Sequence, residues 1–118
     1  MSKAVVHYNE TFYGRTITTI VDGGYGYVMV TVMKDNPDIA VIHDLVVHES
    51  RRKKGLGTKL LKLACKAAEE LGTDFIMLST VPETWLELWY KRNGFEGIGH
   101  KETIFGVEHT VLRKEVKK

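Results

Sequence analysis

The hydrophobic period of the chain changes near residue 55, and this change limits the fold more than any other feature. Before it, stretches rich in β-branched and aromatic residues alternate with turn residues, which is the pattern of β-strands. The predicted strands are residues 16–21, 25–33 and 39–48, with residues 5–8 as a further strand at the edge. The third stretch is almost continuously apolar, which predicts a fully buried strand in the centre of a sheet.

After this point, apolar residues recur at helical spacing. Residues 56–71 predict an amphipathic helix that ends at Gly72, and residues 75–78 predict a short buried strand. Thr80 and Glu83 match a capping box, so a second helix is predicted over residues 82–92. Residues 104–105 and 109–112 then predict a closing hairpin. This order predicts an α/β fold, a mixed α+β sheet with crossover helices.

The 118 residues are expected to form a single domain over positions 1–118. The one cysteine, Cys65, allows no internal disulfide, and the histidines show no metal-ligand spacing, so no metal site is predicted. No apolar run approaches the roughly 20 residues of a membrane span, and the N-terminus does not resemble a signal peptide. We therefore expect a cytoplasmic protein without a membrane partner. The net charge of +2 argues against general nucleic-acid binding.

Basic charge is concentrated in one loop instead. Four consecutive Arg and Lys residues, 51–54, follow the third predicted strand, and Gly55 and Gly57 then open the predicted helix. Glycines let backbone N–H groups approach a phosphate, and the start of a helix adds the positive end of its dipole. Arg and Lys complement a pyrophosphate. The loop therefore predicts an anion-binding cradle.

Two nucleotide-binding motifs compete for these residues, and neither fits. A dinucleotide fingerprint needs a third glycine where the chain has Leu60, and the P-loop motif lacks both its first glycine and its Gly-Lys pair. A basic run alone is more often a solvated surface. The combination of strand, basic loop and glycine pair favours binding over that alternative.

Two blocks of the sequence resemble the GNAT superfamily of acetyl-CoA-dependent N-acetyltransferases. The stretch from Arg52 through Gly55 to Gly57 fits the family pattern of Arg or Gln, two residues, Gly, one residue, Gly or Ala. Tyr90, followed by Gly94 and Phe95, is similar to the second family signature. The blocks have the family's order and spacing and together cover about half of the chain.

The resemblance implies a central mixed, mostly antiparallel sheet in which acetyl-CoA lies between two splayed central strands, here residues 39–48 and 75–78. It implies that the backbones of Val46 and Val47 pair with the pantetheine arm, and that Tyr90 donates a proton to the departing thiolate. Tyr90 could instead be core packing, since aromatics at helical spacing usually are. The residues implied to hold the pyrophosphate are Arg52, Lys53, Lys54, Gly55, Leu56, Gly57 and Thr58.

Direct attack by an amine also needs a group to accept its proton. His43 and Asp44 are the candidates, and because adjacent strand residues face opposite ways, we expect one of them to face the cleft. A polar group inside an apolar strand is costly unless it is paired, which supports a purpose there. The alternative is a structural hydrogen bond to a neighbouring loop.

The chain departs from the family pattern at two places. It has Glu83 where members often carry a cofactor-binding asparagine, so that contact is not expected. The N-terminal helices between the first two strands are expected to be reduced or absent, which leaves the acceptor side open to a large substrate or a second subunit.

The resemblance implies an N-acetyltransferase-like domain that uses acetyl-CoA as cosubstrate. We expect it to acetylate a primary amine on a small molecule, a protein lysine or an N-terminus. Its other expected partner is a second copy in a homodimer. The alternatives are a non-catalytic CoA-binding sensor or subunit of the same fold and, with less support, a small nucleic-acid-binding module.

Overall fold

The computed structural model describes residues 4–52 and 55–116, which form a seven-stranded sheet and two α-helices. Two short 3₁₀ turns, Asp22–Gly24 and Glu49–Arg51, complete the regular structure of this part. The elements in chain order are β1 (Val5–Glu10), β2 (Gly14–Val21), β3 (Gly26–Met33), β4 (Ile39–Val47), α1 (Leu56–Glu70), β5 (Phe75–Thr80), α2 (Trp85–Arg92), β6 (Glu96–Ile104) and β7 (Val107–Glu115).

The strand order across the sheet is β1-β2-β3-β4-β5-β7-β6. β4 and β5 pair in parallel through the crossover helix α1, and every other neighbouring pair of described strands is antiparallel. The predicted mixed, mostly antiparallel sheet is therefore confirmed. Residues 11–13 connect β1 directly to β2, so this connection is also confirmed to lack the family's N-terminal helices.

The core lies on one face of the sheet, beneath both described helices. It combines alternate residues of the central strands with side chains of α1 and α2, including Leu60 and Tyr90. Gly26 lets α1 approach closely, because a Cβ there would lie 3.1 Å from side-chain carbons of Leu56 and Leu60. The first turn of α1 is thereby held against the start of β3.

Helix α1 begins where it was predicted and ends one residue early, with Leu71 as its C-cap and Gly72 in a left-handed conformation. The predicted start of α2 is wrong. Thr80 is the last residue of β5 and pairs with Thr110 of β7, so it is not available as a cap. Thr84 caps α2 instead, with its hydroxyl accepting from the Glu87 N–H at 3.4 Å.

Candidate active site

The two central strands separate after a short parallel pairing. β4 and β5 are in register only from Ile39 opposite Phe75 to Val41 opposite Met77. β4 then continues to Val47 beside β3, while β5 continues beside β7. The far half of β4 therefore has one edge without a strand, and a V-shaped gap with free backbone groups opens between the two strands.

A β-bulge lies where the strands separate. Val30 of β3 is opposite Ile42, but its neighbour Met29 is opposite Asp44, so His43 is the additional residue. Both His43 and Asp44 are exposed. The expectation of a polar group buried inside a fully buried strand is therefore wrong for this half of β4, because the bulge and the missing neighbour bring both side chains to the surface.

The backbone of β4 divides its hydrogen bonds between β3 and the gap. The His48 N–H donates to the Tyr25 carbonyl at 2.6 Å, so the main-chain groups of residue 48 point toward β3. Because these groups alternate sides along an antiparallel strand, those of Val46 also point toward β3, and those of Leu45 and Val47 point into the gap. Of the two predicted backbone contacts, this geometry favours Val47 and adds Leu45, which sequence reasoning did not identify.

The predicted anion cradle lies beside the open end of β4. Gly55 occupies the N-cap of α1 with φ of 78°, and neither a side-chain cap nor an acidic first-turn residue is found in the described part of the chain. The first N–H groups of a helix that lacks such a cap attract an anion, and the helix dipole adds to the attraction. Leu56, Gly57 and Thr58 supply these groups. Lys53 and Lys54, also predicted here, lie outside the described residues.

Arg51 and Arg52 have different surroundings. Arg51 Nε is 2.9 Å from the Asp22 carboxylate, and its guanidinium lies 4.1 Å from the centre of the Tyr25 ring. Arg51 therefore ties the loop to the turn between β2 and β3. The Arg52 side chain is exposed and donates from Nε to the Val47 carbonyl at 3.3 Å, which holds its charge beside the cradle.

Gly57 is the point at which the loop, β4 and α2 meet. A Cβ at this position would lie 3.6 Å from Trp89 and 3.9 Å from the Val47 side chain. The absence of a side chain leaves the backbone of the first helical turn accessible between them. Trp89 thus borders the cradle.

Tyr90 is 7% exposed and belongs to the core. Its ring packs edge-on against Trp89 and Phe95, with centroid distances of 5.0 Å and 5.7 Å. Tyr90 therefore does pack in the core, as the alternative to a catalytic role predicts. Burial raises the pKa of the phenol above its ordinary value, so Tyr90 carries its proton throughout the neutral range.

The Thr80 hydroxyl is also buried near the gap. Its oxygen has no hydrogen-bond partner among the described residues. Thr80 follows Met77, the last β5 residue paired with β4, by three positions, so it lies where β5 has already left β4.

A family model for the GNAT acetyltransferase domain matches residues 6–97, well over half of the chain, including β4, the basic loop and Tyr90. The chain belongs to the GNAT acetyltransferase family. Membership makes it an acetyltransferase with acetyl-CoA as cosubstrate. The uncapped helix start, Arg52 and the open strand edge fit a long molecule that carries a doubly charged pyrophosphate.

Solved GNAT structures share the fold. A GNAT family acetyltransferase from Elizabethkingia anophelis with acetyl-CoA bound is 13% identical, with a TM-score of 0.69 over 95% of this chain and 97% of that one. The IAA acetyltransferase from Bacillus cereus ATCC 14579 is 18% identical, with a TM-score of 0.69 over 96% and 99%. The ribosomal-protein-S18-alanine N-acetyltransferase from Escherichia coli is 15% identical, with a TM-score of 0.70 over 92% and 73%. Comparison with curated proteins gives no match.

The other features of this GNAT chain lie apart from the gap. A cavity of about 500 Å³ between α1 and the end of β7 includes Cys65 and Lys114 in its lining. Burial raises the pKa of the Cys65 thiol, and the nearby Lys114 charge opposes this, so the thiol is a poor nucleophile. Within residues 4–52 and 55–116, no group of metal-binding side chains and no helix able to span a membrane are found.

Proposed function

We propose that the protein is an N-acetyltransferase that moves the acetyl group of acetyl-CoA to a primary amine by direct attack. The observation that carries this proposal is the separation of β4 from β5 directly beside the uncapped start of α1. An open strand edge offers hydrogen bonds to amides, and a helix start offers them to phosphates. Acetyl-CoA carries both groups in one extended molecule.

The binding proposal assigns a separate role to each part of the site. The N–H groups of Gly55, Leu56, Gly57 and Thr58 hold the pyrophosphate, with the charges of Arg52, Lys53 and Lys54 beside them. The Val47 N–H and the main-chain groups of Leu45 bind the pantetheine amides, while the Val47 carbonyl accepts from Arg52 Nε. Val46 contributes through its side chain, which is exposed beside the gap.

In the proposed reaction, the neutral amine attacks the thioester carbonyl carbon and forms the C–N bond. The C–S bond breaks, and Tyr90 donates its proton to the departing thiolate. The amine loses its extra proton to His43 or Asp44, directly or through water. Burial of the phenol favours this role for Tyr90, because it keeps the proton in place at working pH.

The acceptor side of the proposed site is wide, because residues 11–13 replace the family's N-terminal helices. We propose that it admits an amine on a small molecule, a protein lysine or a protein N-terminus. A second copy in a homodimer would narrow this side. We place the enzyme in the cytoplasm, where reducing conditions suit a chain with one unpaired cysteine.

Calorimetric titration with acetyl-CoA tests the proposal. We expect micromolar binding that weakens at least tenfold in Arg52→Glu, since a charge-assisted contact to a phosphate is worth about that much. Lys62→Glu is the matched control, because it makes the same charge change at an exposed position further along α1. If the unmodified protein does not bind acetyl-CoA, the proposal is wrong. Equal losses in both variants would indicate only a general charge effect.

The alternative is a CoA-binding sensor of the same fold. Glu83 favours it, since it stands where members often carry an asparagine and its exposed side chain leaves that cofactor contact unmade. Tyr90→Phe separates the two functions, because the ring packing is retained and only the proton is lost. For an enzyme, turnover with an amine panel falls about 100-fold while acetyl-CoA affinity stays unchanged. A sensor shows the same affinity and no turnover before or after the change.

A further inference from the structure

The gap between β4 and β5 is covered on one face of the sheet only. Both described helices pack on the face that carries Leu78 of β5. Within residues 4–52 and 55–116 no helix lies over the opposite face, which we call the open face. Asp44 lies on the open face, because its partner Met29 is flanked in β3 by two core residues. An acceptor that meets a thioester in the gap therefore approaches from the open face.

Ser79 marks the narrow end of the gap on the open face. Its neighbours Leu78 and Thr80 are buried on the helix side, so alternation directs the Ser79 side chain to the open face. β4 and β5 are paired as far as Met77, and Ser79 is the next open-face residue of β5. If the pairing continued, Ser79 would lie opposite His43. The two residues therefore lie on opposite sides of the gap where the strands begin to separate.

A carboxylate is held beside Ser79. The Ser79 hydroxyl donates to the carboxylate of Glu102 on β6, which reaches across β7 to meet it. Because the Glu102 side chain is exposed, a molecule on the open face can contact this carboxylate. The hydroxyl thus holds a negative charge at the narrow end of the gap, on the side from which the acceptor approaches.

The Glu102 charge has no ion-pair partner in the part of the chain that the structure describes. Two basic side chains share the open face with it, and both have other contacts. His109, the β7 partner of Glu102, has its Nδ1 2.9 Å from the Val107 carbonyl. The guanidinium of Arg113 lies 4.4 Å from the centre of the Phe75 ring, at the start of β5. A positive charge beside Glu102 would therefore come with a ligand.

We propose that Glu102 is a specificity-determining residue that binds a second positive charge on the acceptor. The preferred acceptor then carries one primary amine, which is acetylated, and an ammonium or guanidinium group a few carbons away. Ser79 is a positioning residue, because its hydroxyl orients the carboxylate. This inference rests on the proposed function, since it requires the acceptor amine to meet acetyl-CoA in the gap.

Agmatine, butylamine and 4-aminobutanoate test the inference. Each has one primary amine on a chain of similar length, and the far end carries a guanidinium, a methyl group or a carboxylate. We expect kcat/KM to be highest for agmatine and lowest for 4-aminobutanoate. In Glu102→Gln, the KM for agmatine should rise about fivefold, the upper range for an ion pair that solvent can reach. The kcat for agmatine and both constants for butylamine should stay unchanged, because only binding of the second charge is lost.

Glu108→Gln is the matched control. It makes the same charge change on the same hairpin, where Glu108 is paired with Lys101 at 3.1 Å, and it should leave the agmatine preference unchanged. Ser79→Ala keeps the Glu102 charge and removes the orienting bond, so the KM for agmatine should rise about twofold. Two lysine peptides, with either an arginine or a glutamine next to the lysine, show whether a protein can also supply the second charge.

The outcomes separate this inference from the function on which it rests. If agmatine and butylamine react equally well, or if the preference survives Glu102→Gln, the inference is wrong and the acetyltransferase function stands. Equal losses in Glu102→Gln and Glu108→Gln would also overturn it, since they indicate a general charge effect. The inference is wrong as well if the protein binds acetyl-CoA and acetylates none of these acceptors. If acetyl-CoA does not bind, the proposed function fails, and the Glu102 assignment fails with it.

Discussion

The two halves of β4 both contribute apolar residues but lie in different environments. In the first half, Ala40 and Ile42 are buried, and the strand has neighbours on both sides. In the second half, β5 is no longer alongside, a bulge begins at His43, and Val46 is 40% exposed although it is apolar. One strand thus supplies the centre of the fold at one end and the edge of the proposed site at the other.

This difference shows that a gap can be opened in a sheet by ending the pairing of two strands. The second half gives up hydrogen bonds on one edge, and those groups need partners when they are covered. A ligand with amide groups can supply them. On the binding proposal, the first half keeps the fold stable while the second half exchanges water for ligand.

The largest expected effect comes from removing core volume beside the paired half of β4. Ile76 is fully buried and pairs with Ala40, so Ile76→Ala should lower the free energy of unfolding by about 3–4 kcal/mol. Val46→Ala in the splayed half should cost about 0.5 kcal/mol or less, because that side chain is partly exposed already. Urea unfolding at neutral pH measures both. Similar losses would mean that the two halves of β4 contribute equally to stability.

An intermediate effect is expected at the bulge, on turnover rather than stability. Removing the residue that accepts the amine proton, by His43→Gln or Asp44→Asn, should lower the turnover rate about 100-fold at neutral pH. The other substitution should change it less than about twofold. Steady-state rates over pH 6–9 compare the two variants, and the base is the residue whose replacement lowers turnover across this range.

Unfolding measurements on the same two variants are the control, since both side chains are exposed and stability should change by about 0.5 kcal/mol or less. If neither substitution alters the pH profile, the proton leaves through water alone. The bulge would then shape the gap without taking part in the chemistry.

The order of the elements could be predicted from the sequence because it depends on local periodicity. The bounds of α1 were correct to within one residue, since leucine spacing and Gly72 specify them locally. The gap was expected only through the family resemblance, and the bulge at His43 was not expected at all. Both depend on which strands pair with β4. An apolar stretch of sequence does not indicate where its pairing with a neighbouring strand ends.

The start of α2 shows the same limit on a smaller scale. Thr80 and Thr84 are each followed three residues later by a glutamate, so the capping box occurs twice in succession. Pro82 favours a helix start at the first copy, because proline suits the first turn of a helix. Pairing of Thr80 with Thr110 in β7 decides for the second copy, and this contact crosses thirty residues of sequence.

The smallest effect is expected at that second capping box, on the rim of the splayed region. The Glu87 carboxylate bonds with Lys91 at 3.0 Å and accepts from the Glu83 N–H at 2.9 Å, and these contacts, with Lys91 first, lower the Glu87 pKa. Glu87→Gln should therefore cost about 0.5 kcal/mol at pH 7, since solvent screens the ion pair. Glu83→Gln is the control and should change nothing measurable, because the cap uses only the Glu83 backbone.

The direction of the Glu87 pKa shift determines how its contribution to stability depends on pH. A lowered pKa means that the folded state holds the ionised carboxylate more tightly than the unfolded chain does, so the stabilisation is present above the ordinary glutamate range. It disappears as the pH falls below that range and Glu87 takes up a proton. Urea unfolding of Glu87→Gln and the unmodified protein should differ at pH 7 and converge near pH 3. If the stability difference between Glu87→Gln and the unmodified protein persists in acid, Glu87 acts through packing. The start of α2 would then stabilise the fold by packing, as the first half of β4 does.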